Sequence, residues 1–142
     1  MGKVLDFMRV LWSVDHGLHS LSKRMNARLD VTGPQRLVIR IVGRFPGISP
    51  GDLAEILKVH KSTLTGVLQR LSDRGLIERR SSEADKRRLH LWLTPAGVKV
   101  DAVKAGTVEA ALRRAVSKLS DEDIQAAERV LSVVAAELAA ET

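Results

Sequence analysis

The chain has 142 residues, of which 44% are apolar and 3% aromatic; it carries 23 basic against 17 acidic side chains and no cysteine. That length fits one domain with a sizeable core, the apolar content excludes a disordered chain, and the missing cysteine excludes disulfides, thiolate zinc sites and thiol redox sensing within this sequence. Scarce aromatics argue against a β-sandwich or a base-stacking sheet, and no run approaches the roughly 18 apolar residues of a membrane span.

Asp6 and Arg9 interrupt the start where a signal peptide needs an apolar stretch. A soluble, cytoplasmic protein with no membrane partner is expected. The charge is unevenly placed: residues 58 to 90 hold nine basic and four acidic side chains, whereas residues 101 to 142 hold five and eight. A positive middle between a mildly basic front and an acidic tail fits one element facing a polyanion.

In chain order, Val4, Phe7, Leu11, Val14, Leu18, Leu21 and Met25 alternate steps of three and four, which predicts a long amphipathic helix. It exceeds what a small domain needs for its own core, so part of the stripe is expected to meet a second subunit. Asn26 to Val31 read as a connection. Thr32, Gly33 and Pro34 then give a cap followed by a first-turn proline, opening a helix to about Arg44. Phe45, Pro46 and Gly47 stop it, and Ser49 with Pro50 starts a two-turn helix to Leu57. A third begins near Lys61 and ends at Arg74 and Gly75, with glycine supplying the left-handed residue.

The period then changes. Ile77 to Arg80 and Leu89 to Leu93 are β-prone, and the second alternates Leu89, Leu91 and Leu93 with His90 and Trp92. A hairpin joined by a charged, solvent-projecting loop from Ser81 to Arg88 is predicted. Thr94 and Pro95 cap a further helix taken to about Lys118, with Gly106 as a bend within it. Ser120 opens the last helix, whose stripe is Ile124, Ala127, Val130, Leu131, Val134 and Leu138.

Two short helices around Ala54 and Leu64 match a helix-turn-helix, with Leu53, Leu57, Val59, Leu64, Val67 and Leu68 turned inward. The outer face carries His60, Lys61, Ser62, Thr63, Thr65 and Gln69, residue types that reach base edges and phosphates in a major groove. In the wing, Arg87 and Arg88 beside Asp85 fit an arginine aimed at the minor groove and oriented by a carboxylate. Arg79, Arg80 and Lys86 read as phosphate neutralisers. Taken singly, each of these is equally a solvated surface side chain, and their grouping beside a hairpin carries the DNA reading. The predicted fold is mainly α with a small β-hairpin wing: a winged helix-turn-helix lobe over 32 to 94, with dimerisation helices in 1 to 31 and 95 to 142.

Three segments resemble the MarR family of bacterial transcription regulators: Thr32 to Gln35; Leu64 to Leu71 leading into Arg74, Gly75, Leu76 and Ile77; and Asp85, Lys86, Arg87 ahead of Leu93 to Gly97. The resemblance covers nearly the whole chain. It implies a homodimer built from the first and last helices, acting on double-stranded DNA at a palindromic site as a regulator and most often a repressor. Two lobes on successive major grooves sit one helical turn apart, roughly 34 Å.

The resemblance also implies release by a small aromatic or phenolic effector, for which Trp12, His16, His19, Met25 and Phe45 would line a pocket. Trp12 and Met25 equally fit core packing. His16 and His19 stand one turn apart without further ligands, so neither metal nor cofactor is expected. Trp92 departs from the small or polar residue usual on an outward strand face, and is expected to cover the lobe's flank or a dimer surface.

Two other classes compete. An enzyme is disfavoured, since there is no nucleophile elbow and no phosphate-binding glycine loop. A winged helix used only for protein contacts would show no salt-dependent binding to duplex DNA.

Overall fold

The computed structural model describes residues 2–81, 84 and 87–142. These form two compact units, 1–107 and 108–142, each treated by itself below.

The first unit opens with α1 (Lys3–Leu29), which contributes Met25 to the core and turns out of the helix at Asp30, where φ is 59°. Nothing in Asn26 to Leu29 breaks a helix, so the expected connection shortens to Asp30 and Val31. Val31 is itself buried. Next comes α2 (Gly33–Arg44), opened by a full capping box: Gln35 N–H donates to Thr32 Oγ1 at 3.3 Å, and Thr32 N–H donates to Gln35 Oε1 at 3.1 Å. Its inward face is Val38, Ile39 and Val42, extended one turn back by Gln35 and Arg36.

The next two helices, α3 (Pro50–Leu57) and α4 (Lys61–Asp73), pack against each other. Ser49 Oγ accepts the Asp52 N–H at 3.1 Å to start the first of them. The second ends as the glycine signal predicts: Leu76 N–H donates to Leu71 O and Gly75 N–H to Ser72 O, with Gly75 at φ 70°.

The wing is an antiparallel pair, β1 (Ile77–Ser81) and β2 (Leu89–Leu93), in the register Ile77 opposite Leu93 and Arg79 opposite Leu91. Ile48 adds a bridge to Leu91, so the α2–α3 turn supplies a short third edge to this sheet. The core gathers Leu53, Leu64, Leu68, Leu71, Leu76, Ile77 and Leu91 around α2. Full burial of each such aliphatic side chain contributes about 1.5–3 kcal/mol. Val59, expected inside the helix crossing, is exposed instead, because the chain leaves α3 through Lys58 at φ 55° and turns Val59 outward.

One long helix from 95 to 118 is not what forms. It is replaced by α5 (Pro95–Ala102) and α6 (Val108–Val116), separated at 103–107. Gly106 does more than bend, taking φ 74°, which a continuing helix cannot accommodate. The second unit consists of α6 and α7 (Asp121–Ala140), the latter capped by Ser120, whose Oγ accepts the Asp123 N–H at 3.1 Å.

No residue of α6 or α7 is buried, and Val130, Leu131 and Leu138 of the expected stripe are exposed. On α1, Val4, Phe7, Trp12, Val14 and Leu18 are likewise exposed. Among the described residues no helix is long and apolar enough to cross a membrane.

Candidate nucleic-acid interface

The outer face of the helix-turn-helix follows from how α4 is anchored. Leu64, Leu68 and Leu71 recur every three or four residues and are all buried, which fixes the rotation of the helix. Lys61, Ser62, Thr63, Thr65 and Gln69 are thereby turned to solvent. His60 is the extended residue at the N-cap, with φ −67° and ψ 145°, and its side chain makes no capping bond. The first N–H groups of the helix thus keep their capacity to bind an anion.

Two of these side chains have local partners. The Thr65 hydroxyl donates to Lys61 O at 2.7 Å, which holds it along the helix surface. Gln69 Nε2 donates to Asp73 Oδ1 at 2.8 Å, leaving its carbonyl end as the acceptor.

The wing arises from strand alternation. Ile77 and Leu91 face the core, so Glu78, Arg80, His90 and Trp92 share the outer face, while Arg79 stands opposite Leu91 beyond the core's edge. Arg79 and Arg80 are exposed. Arg80 pairs with the Glu78 carboxylate and lies 5.2 Å above the Trp92 ring. His90 is turned back to the lobe, its Nδ1 donating to Gly47 O at 2.8 Å.

Farther out, Arg87 and Arg88 are exposed and line a cleft of about 540 Å³ whose far wall includes Ser49 and Asp52 at the start of α3. Asp85 and Lys86, assigned to the wing from sequence, lie outside the described residues. The expected pairing of Asp85 with Arg87 lies outside them as well. Trp92 covers the flank of the lobe, lying on the α2–α3 turn at Gly47.

The five residues expected around an effector are not gathered in one place. Met25 is in the core at 1% exposure, while Trp12, His16 and His19 are exposed on α1. Trp12 and Met25 are about 20 Å apart along the helix axis. The His19 ring Nδ1 is 2.9 Å from Asp15 O, a local bond on one helix. Phe45 borders a cleft of about 670 Å³ that Ile56 also lines, with Arg44 5.9 Å above its ring. Among the described residues no three His, Asp or Glu side chains gather as metal ligands do.

Arg36 escaped the sequence reading. It is 2% exposed, and its guanidinium donates to the carbonyls of Val100, Asp101 at 3.3 Å and Val103 at 2.5 Å. The signal lay in the period of α2, because extending Val38, Ile39 and Val42 back one turn lands on Gln35 and Arg36.

The chain is similar to known transcriptional regulators. A family model described as MarR family matches residues 29–88. The transcriptional regulator HosA of Escherichia coli O127:H6 is 35% identical over 113 residues, 76% of this chain and 84% of that protein. The HTH-type transcriptional regulator YfiV of Bacillus subtilis is 31% identical over 128 residues, 90% of this chain and 78% of that one. Among solved structures, a cysteine-to-serine mutant of MarR from Escherichia coli complexed with operator DNA superposes with a TM-score of 0.70. That match has 25% identity and covers 93% of this chain and 95% of the other.

Proposed function

The chain belongs to the MarR family of DNA-binding transcriptional regulators, and from that premise we propose that it acts as a homodimeric repressor on palindromic double-stranded DNA. The exposed polar start of α4 carries this reading: Lys61, Ser62, Thr63, Thr65 and Gln69 face outward because three leucines face inward. In this role Ser62 and Thr63 let the helix approach base edges closely, and His60 and Lys61 meet backbone phosphate near the helix N-terminus. Gln69 reads through its amide after exchanging Asp73 for a base. Arg79, Arg80 and Lys86 neutralise phosphate, while Arg87, with Arg88, reaches the minor groove.

Pairing of two chains is supported by the uncovered stripes of α1 and α7. Side chains such as Val4, Val14 and Leu138 are each more than half exposed, at 66%, 52% and 59%. Apolar stripes of this length mark surfaces that another protein surface covers. Two copies related by a two-fold axis present two α4 helices to DNA, and so a palindrome.

Release by a small aromatic or phenolic ligand belongs to the same reading. The cleft beside Phe45 and Arg44 supports it with an exposed ring for stacking and a guanidinium for a carboxylate or phenolate.

Selection of bound duplexes from a random pool tests the proposal as a whole. The expected product is a palindrome with half-sites about one helical turn apart. Enrichment of no duplex, or of unpaired half-sites only, overturns it.

A further inference from the structure

The turn between α2 and α3 is bonded to the second wing strand by backbone and by side chain. Gly47 N–H donates to Leu91 O at 2.8 Å and Leu91 N–H donates to Ile48 O at 2.9 Å, which pairs the turn with β2. The chain then enters α3 at Pro50, whose nitrogen carries no hydrogen to extend that ladder. On the side of Leu91 towards the wing tip a side chain takes over: half-buried His90 donates from Nδ1 to Gly47 O at 2.8 Å. A carbonyl oxygen only accepts, so the bond orients the ring and puts the hydrogen on Nδ1.

This bond stands between two parts of the DNA face. Arg87 is three residues before His90, so no more than about 10 Å of chain separates the ring from the wing arginine. Gly47 is two residues before Ser49, whose Oγ caps α3. Arg87 and His90 from the wing, and Ser49 and Asp52 from the start of α3, line the same cleft of about 540 Å³. A wing that merely projects into solvent needs no such tie. Water satisfies an exposed turn carbonyl, whereas ordering a ring costs side-chain entropy.

We propose that His90 is a positioning residue for minor-groove recognition: by tying the base of the wing to Gly47, it fixes where Arg87 stands relative to the helix pair α3 and α4. The arginine then meets the minor groove while α4 lies in the adjacent major groove. The inference rests on the DNA reading above and adds to it a residue that itself touches no base. The backbone bonds at Leu91 keep the turn and the strand together, and the His90 ring removes the remaining freedom of the wing to rock about them.

The test uses the full chain and the duplex it selects from a random pool, remade with A/T-rich and with G/C-rich flanks where the wing falls. The unmodified protein is expected to prefer the A/T-flanked duplex by about fivefold or more. H90L fills the space without a donor, and leaves the two backbone bonds and the seat of Trp92 on Gly47 in place. It should cut that preference about threefold, the order that one net hydrogen bond transmits, with the loss concentrated on the A/T-flanked duplex. H90N places an amide N–H as many bonds from the backbone as His Nδ1, and should restore the preference to within about twofold. In an R87A background H90L should change the ratio no further, since His90 acts through Arg87. H90A, which only removes atoms, serves if H90L does not fold.

An unchanged flank preference in folded H90L or H90A overturns the positioning role. So does an equal loss on both duplexes that H90N fails to restore, which marks a purely structural bond, and so does a full further loss in the R87A background. A preference absent from the unmodified chain, or one that R87A leaves intact, refutes the minor-groove assignment of Arg87 itself and takes the role of His90 with it.

Discussion

The Trp92 indole lies on Gly47, close enough that a Cβ at Gly47 would stand 3.1 Å from Cζ2 of the ring. Gly47 also takes φ 86°, and its N–H donates to Leu91 O at 2.8 Å. The turn after α2, the second wing strand and the indole are therefore one packed unit, with Arg80 stacked on the outer ring face. Gly47→Ala is expected to cost about 1–3 kcal/mol, since the left-handed backbone and the ring contact oppose it together. Denaturant unfolding followed by tryptophan emission measures this, and a loss below about 0.5 kcal/mol would mean that the turn relaxes freely.

Gly97 is under a stricter limit. A Cβ there would sit 2.0 Å from Leu76 O, a backbone atom that also accepts the Thr94 N–H. A flexible side chain could swing aside, whereas this carbonyl cannot move without disturbing the entry to β1. Gly97→Ala should destabilise by about 3 kcal/mol, at the upper end of overpacking effects, and α5 should separate from the wing in hydrogen exchange. A variant as stable as the parent would contradict the close helix–strand approach.

Thr32 and Gln35 offer a paired test. Thr32→Ala removes one half of the capping box and should cost about 1 kcal/mol. Gln35→Ala should cost more, because Gln35 Oε1 also accepts from Arg74 Nη1 at 3.1 Å and the residue is 4% exposed. Thermal melts of the two single variants rank them, and the opposite order would show that Arg74 finds equal compensation in Asp30 O, its other acceptor at 2.5 Å.

Local signals in the sequence were sufficient where they act alone. Caps at Thr32, Ser49, Thr94 and Ser120, first-turn prolines and Gly75 placed most helix boundaries, because each satisfies backbone groups within its own few residues. The outward face of α4 was equally legible, since Leu64, Leu68 and Leu71 fix it by spacing. What escaped depends on partners distant in the chain. The break at 103–107 is held by Arg28, Arg36 and Arg40, some sixty to eighty positions earlier, and propensity around Gly106 gave only a bend. The bridge from Ile48 to Leu91 and the seat of Trp92 on Gly47 are likewise long-range. Trp12, His16, His19, Met25 and Phe45 stand at separate places in the single chain, Met25 in the core and the others exposed, an arrangement that residue type alone does not specify.

The DNA face yields a prediction that separates its parts. If the chain neutralises about six or more phosphates, duplex affinity should fall by roughly three orders of magnitude between about 50 and 200 mM salt. Arg79→Ala removes a charge from the exposed strand and should weaken all duplexes alike, lowering the log–log salt slope by roughly 0.9 for the one phosphate it leaves unneutralised. Thr63→Ala leaves the slope unchanged and should shift sequence preference, because a neutral hydroxyl near base edges contributes to discrimination and not to counterion release. Arg87→Ala should do both, with the largest loss on sites having a narrow A/T-rich minor groove, where the potential that attracts a guanidinium is strongest. Fluorescence anisotropy on an A/T-flanked and a G/C-flanked version of the selected duplex reads all three variants. Equal losses for Arg87→Ala on both flanks would place Arg87 with Arg79 on the phosphate backbone, and a preference unchanged in Thr63→Ala would move base reading away from the first turn of α4.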